Sequence, residues 1–114
     1  MKHSVSLSGR AEADLTNQYR WYLDNATVDV AERFLKSFDA RTNLLAEFPE
    51  IGQARRFRAP ELQGVRSLSV GGRFADHLVF YRATGRSVSI ERVMHGSRDL
   101  ERRLLEPPKN YPAP

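Results

Sequence analysis

The chain has 114 residues, no cysteine, and 18 Lys/Arg against 14 Asp/Glu, a formal net charge of +4. That length suits one domain with its own core. The missing cysteines exclude disulfides and thiolate metal sites and point to a reducing cytoplasm. No apolar stretch is long enough for a secretory leader or a membrane span, so a cytoplasmic protein is expected.

The charge is uneven. Residues 1–50 hold six Lys/Arg against eight Asp/Glu, and residues 51–114 hold twelve against six. Fifteen of the cations are Arg, whose planar fork pairs two-pronged with carboxylate or phosphate. An anionic partner, nucleic acid or an acidic protein segment, is one reading. A plain solvated cationic surface is the other.

In chain order, "HSVSLS" (3–8) alternates and predicts a short strand with Val5 and Leu7 on one side. Ser8 then caps a helix, with Glu12 and Asp14 near its positive end. Ala11, Leu15, Tyr19, Tyr22 and Leu23 form its apolar stripe. Thr27 caps a second helix striped by Ala31, Phe34, Leu35, Phe38, Leu45 and Phe48 and ended by Pro49. Two such helices joined by a few residues fold back as a hairpin. "FPEIGQARRFRAPELQG" is an irregular connection. "VRSLSV", "FADHLVFYRA" and "SVSIERVMH" predict a three-stranded antiparallel meander. Its middle strand is apolar on both faces, with Phe74, Leu78 and Phe80 on one and Val79 and Tyr81 on the other, as for a central strand. "SRDLERRLLEPP" is a short helix stopped by Pro107. The order is β-α-α-β-β-β-α: an α+β fold with a helical hairpin across one face of a small antiparallel sheet and the other face partly open. Residues 1–106 form one domain, and the Pro-rich stretch 107–114 is expected to be disordered.

"LSGRAEADL", "FPEIG", "LQGVRSL", "HLVFYR" and "IERVMHGSRDL" occur in this order. As an ordered set over roughly residues 3–105 they resemble the ParE/RelE superfamily of toxins from type II toxin–antitoxin pairs. The "RVxHGxRD" ending resembles the ParE branch. The resemblance implies a toxin that binds and inhibits DNA gyrase. It also implies a hetero-oligomer with an acidic, partly disordered ParD-like antitoxin. The RelE branch implies the alternative, a ribosome-dependent mRNA endoribonuclease.

For a metal-free ribonuclease the residue types exist. His95 serves as acid or base, Arg66, Arg82, Arg92 and Arg98 as phosphate clamps, and Tyr81 as a stacking platform. Against it, the three lysines Lys2, Lys36 and Lys109 fall outside the meander and the connection before it. A guanidinium is a poor general base. "HGSRD" also has a purely structural reading. Gly96 makes a sharp turn, Ser97 caps the last helix, Asp99 sits in its first turn and pairs with Arg98 or Arg92, and His95 holds a neighbouring carbonyl. A binder rather than an enzyme is therefore expected, with no metal and no cofactor. Its candidate contacts are Trp21, Arg55, Arg56, Arg58, Arg66, Arg82 and Arg98. Trp21 also fits a second use, sealing the hairpin. His77 is expected to be a satisfied sheet residue.

Overall fold

The computed structural model describes residues 2–109 and 111. The elements are β1 (Ser4–Leu7), α1 (Gly9–Asn25), α2 (Val28–Glu47), β2 (Gln53–Ala54), β3 (Arg66–Ser69), β4 (His77–Thr84), β5 (Ser87–His95) and α3 (Leu100–Leu105). Single 3₁₀ turns lie at Pro60–Leu62 and Gly72–Phe74. The fold is α+β, and the sheet order is β1-β5-β4-β3-β2. β1 runs parallel to β5, and the other neighbours are antiparallel.

Both helix starts follow from their caps. The Ser8 hydroxyl accepts from Ala11 N at 3.0 Å, and Thr27 accepts from Val30 N at 3.1 Å, each satisfying a first-turn N–H. Ser8 also binds β1 to β5, donating from its hydroxyl to Glu91 O and from its N–H to Ile90 O. Past that point α1 side chains replace the strand. Asp14 accepts from Val93 N at 2.9 Å, and Gln18 donates to Val93 O at 2.7 Å. Residues four apart share one helix face, so a single turn of α1 satisfies an edge of β5 that would otherwise lie open.

The hairpin covers one side of the sheet. Phe34 and Phe38 of α2 pack with Val79, Tyr81, Val88, Ile90 and Val93. The strand alternation changes phase within β5. Phe80 pairs with Arg92 but Tyr81 with Ile90, so Glu91 is an inserted bulge residue. Val88, Ile90 and Val93 thereby share the hairpin side, although simple alternation would send Val93 to the other.

Three expectations are corrected. The second sheet face is not left open: Leu100 and Leu104 of α3, with Leu62 and Val65, build a second core on Phe80 and Met94. Phe74 belongs to the hairpin-side core, because it sits on the turn before β4 and not within the strand. Phe48 closes α2 but is exposed. In the stretch expected to be disordered, Pro108 is buried, Lys109 O accepts from the Asn17 amide, and the Tyr111 ring lies beneath Arg10. Residues 110 and 112–114 lie outside the described residues.

Candidate partner-binding surface

The corner after β5 holds the fold together, though not as its sequence suggests. Gly96 does turn at φ 87°. Ser97 is exposed and caps nothing. The residue before α3 is Asp99, in the left-handed region at φ 54°, without a side-chain cap bond. Asp99 pairs with Arg102 at 3.7 Å, not with Arg92 or Arg98. The carbonyl contact here is made by the His95 backbone oxygen, which accepts from Arg103 at 2.7 Å. The His95 ring is instead set edge-on against His77, centroids 4.8 Å apart. Arg92 is buried and holds Asp14 two-pronged, Nε to Oδ2 at 2.8 Å and Nη2 to Oδ1 at 3.0 Å. Its Nη1 donates to Glu106 O at the carboxy-terminal end of α3, at 2.6 Å. Arg92 thus ties β5, α1 and α3 together and is withdrawn from any external anion.

The remaining ribonuclease candidates do not converge. Tyr81 is 0% exposed and its hydroxyl accepts from Gly52 N at 2.8 Å, so it offers no stacking surface. Burial pushes its pKa up. Arg66 donates to the carbonyls of Glu50 and Gly52. Arg82 is held by Gln63 O, Glu61 O and the Glu91 carboxylate. His95 pairs with His77 at the far end of β4, four residues from Tyr81, which is roughly 13 Å at the rise of an extended strand. Arg98 lies near His95, one Arg103 guanidinium donating to the carbonyls of both, so these two are set apart from Tyr81, Arg66 and Arg82. No single phosphate spans these groups.

The arginines that do face outward form a different set. In the connection, Arg55 and Phe57 turn toward the sheet: Arg55 Nε donates to the Ser67 hydroxyl at 2.7 Å, and Phe57 packs on the Phe80 ring. Arg56 and Arg58 alternate outward and are exposed. The Glu101 carboxylate accepts from the backbone N–H groups of Arg58 and Ala59 at 3.1 and 3.0 Å, clamping this run to the first turn of α3. Exposed Arg98 precedes that turn by two residues. Arg56, Arg58 and Arg98 therefore share a cationic corner, while Arg55, Arg66 and Arg82 are largely spent on internal partners.

Trp21 does not seal the hairpin. It is 59% exposed, edge-on to Tyr22 at 5.4 Å, and borders a hollow lined by Asn17, Gln18, Tyr22, His77 and His95. Beneath it His77 is a satisfied sheet residue, as its alternation predicts. Its Nδ1–H donates to Gln18 Oε1 at 2.9 Å, and its Nε2 accepts from the Tyr22 hydroxyl at 2.8 Å. Burial, then the nearby His95, lowers the His77 pKa from 6.5 to about 4, so the ring is neutral. Neither Asp14 nor Gln18 reads from the sequence as a group that bonds a strand edge. Their only signal is the four-residue spacing, which is common on any helix.

Among the described residues, no cluster of His, Asp and Glu has metal-site geometry, and no helix is long and apolar enough to cross a membrane. The chain is 34% identical over 105 residues to Toxin ParE1 from two Mycobacterium tuberculosis strains, CDC 1551 / Oshkosh and ATCC 25618 / H37Rv. Those matches cover 91% of this chain and 100% of each relative. A solved structure described as the chromosomal ParDE TA system from P. aeruginosa superposes with a TM-score of 0.67 at 22% identity. It covers 84% of this chain and 98% of its own, a likeness of fold. The family model for the ParE toxin of the type II toxin–antitoxin system, parDE, matches residues 5–100. With that match spanning both hairpin helices, all of the sheet but its first residue, and the corner leading into α3, the chain belongs to the ParE toxin family.

Proposed function

We propose that this chain arrests growth by binding and inhibiting DNA gyrase in the cytoplasm, and that a ParD-like antitoxin neutralises it by covering its exposed cationic and aromatic surface. The observation that carries this reading is the division of its arginines. Of the four candidate phosphate clamps, Arg66, Arg82 and Arg92 are bonded internally, whereas the fourth, Arg98, is exposed on one corner with Arg56 and Arg58. Such a surface suits stoichiometric binding, in which complementary charge speeds encounter and selects the partner. Family membership supports gyrase as the target. Trp21 supplies the rigid aromatic type enriched at binding hot spots. An antitoxin segment that orders on binding can cover both Trp21 and the corner, because an unfolded chain wraps a larger surface than a rigid one.

The test is a gyrase supercoiling and DNA-cleavage assay run beside an mRNA-cleavage assay on translating ribosomes. Inhibited supercoiling, relieved by added antitoxin and with no discrete mRNA cuts, is expected. Discrete cuts in the codons of ribosome-bound mRNA, with supercoiling unaffected, would reverse the assignment.

A further inference from the structure

The cationic corner sets free guanidiniums on a frame that is held from beneath. Arg56, Arg58 and Arg98 are exposed, and among the described residues none of the three guanidiniums has a hydrogen bond or ion pair. The chain on both sides of Arg56 is pinned: Arg55 N donates to Val65 O at 2.9 Å, and the Gln63 amide donates to Phe57 O at 2.8 Å. Arg58 is held through its own N–H by Glu101 at 3.1 Å, and Arg98 through its carbonyl, which accepts from Arg103 at 3.1 Å. A partner therefore meets a backbone already ordered, with only side-chain rotamers left to fix. The carboxylates of residues 55–61 and 98–101 do not quench the corner. Glu101 accepts from two backbone N–H groups and Asp99 pairs with Arg102, which leaves only the exposed Glu61 against three guanidiniums.

What lies between the arginines decides which anion fits. Phe57 and Ala59 turn inward and pack against the second core, so no apolar side chain of this run stands beside Arg56 and Arg58. A protein segment that orders on binding needs apolar anchors to offset its ordering cost, and these lie elsewhere, as at Trp21. A phosphodiester backbone needs only charge and the guanidinium fork. Arg56 and Arg58 stand two residues of near-extended chain apart, roughly 7 Å. That spacing lets two forks take successive phosphates of one strand, with Arg98 as a third contact.

We infer that the Arg56–Arg58–Arg98 corner grips the phosphate backbone of double-stranded DNA without regard to base sequence. This rests on the gyrase reading above, which brings the toxin to an enzyme working on DNA. It adds that the toxin touches the DNA as well as the enzyme, and that an antitoxin lying over the corner removes the DNA contact.

The experiment titrates the full chain into short fluorescent DNA duplexes of two unrelated sequences, across a salt series and with no gyrase present. Arg56→Gln/Arg58→Gln/Arg98→Gln is compared with Arg33→Gln/Lys36→Gln/Arg73→Gln, which removes the same charge from the hairpin side. Circular dichroism verifies folding, and Arg98→Gln alone serves if the triple variant does not fold. Both duplexes should bind wild type alike. The corner variant should bind about tenfold or more weakly at low salt, and its plot of log K against log salt should be flatter by about 2.7, or 0.9 per lost phosphate contact. The hairpin-side variant should stay within about threefold of wild type, its charges being screened from the duplex. Equal losses in the two triple variants, or a wild type that binds no duplex, would overturn the inference. So would a corner variant that keeps duplex binding but loses antitoxin, which would give the corner to an acidic protein. None of these outcomes touches the gyrase reading, which fails only if supercoiling is uninhibited.

Discussion

The Arg92 guanidinium and the Asp14 carboxylate, 78 positions apart, meet as a two-pronged ion pair buried at the junction of β5, α1 and α3. Asp14 also accepts from Val93 N, so one carboxylate serves both a charge and a strand edge. Removing either partner strands the other inside the protein. Asp14→Ala should therefore cost about 3–5 kcal/mol, the usual penalty for orphaning a buried charge. In urea unfolding the double variant Asp14→Ala/Arg92→Ala should lose clearly less than the sum of the two single losses. An additive result would mean that the pair is not coupled.

A pH dependence follows from His77. Its folded pKa is depressed to about 4 against an ordinary 6.5, so between those values the unfolded chain binds the extra proton. The stability from the neutral ring is complete above pH 6.5 and is lost as pH falls toward 4. Carboxylates titrate near the lower limit too, so the comparison is with His77→Gln. The stability difference between wild type and variant should shrink steadily from pH 7 to pH 4, and a constant difference would contradict it.

Gly52 is required for space. A Cβ would stand 2.5 Å from the Tyr81 hydroxyl and 2.8 Å from Ser67 O, the second being backbone that cannot rotate away. Gly52→Ala should lower stability by about 1–3 kcal/mol, the range for overpacking a tight site. Gly64 has open space around an added atom but a positive φ of 83°, whereas Gly52 is crowded without one, so thermal unfolding of Gly52→Ala beside Gly64→Ala separates crowding from backbone strain.

Trp21→Ala should separate binding from folding. With its ring 59% exposed, the change should move stability by no more than about 0.5 kcal/mol. Antitoxin affinity measured by calorimetry should fall about tenfold or more if the indole is an anchor. Unchanged affinity would remove Trp21 from the interface.

His95→Ala should still arrest growth on induction. The ring is exposed, its described contact is the His77 edge, and of the other ribonuclease candidates only Arg98 lies at the same end of the sheet, with Tyr81 and Arg82 at least four residues up β4. A folded variant that no longer arrests growth would favour the endoribonuclease.

Much of the fold is legible because its signals are local. Ser8 and Thr27 cap the two helices as their hydroxyls and positions suggest, since a capping bond spans only three residues. The switch from helical to alternating period locates the meander, and β4 is central as its two apolar faces require. The site was far less legible. Arg92 and Asp14 read as a phosphate clamp and a first-turn carboxylate, because the chain does not announce which pairs fold brings together. Ser97 reads as a cap, but the turn continues two residues further to Asp99.

By itself the sequence determined the elements, their order, the absence of disulfides and the abundance of arginine, all consequences of residue chemistry and short-range periodicity. Only tertiary structure decided which arginines remain available to a partner. Neighbouring positions in one charged run, Arg55 and Arg56, have opposite fates because strand pleating sends one toward the sheet and the next to water. A bulge of one residue at Glu91 likewise reverses the side on which Val93 lies, and no alternation pattern encodes that shift until β4 is paired beside it.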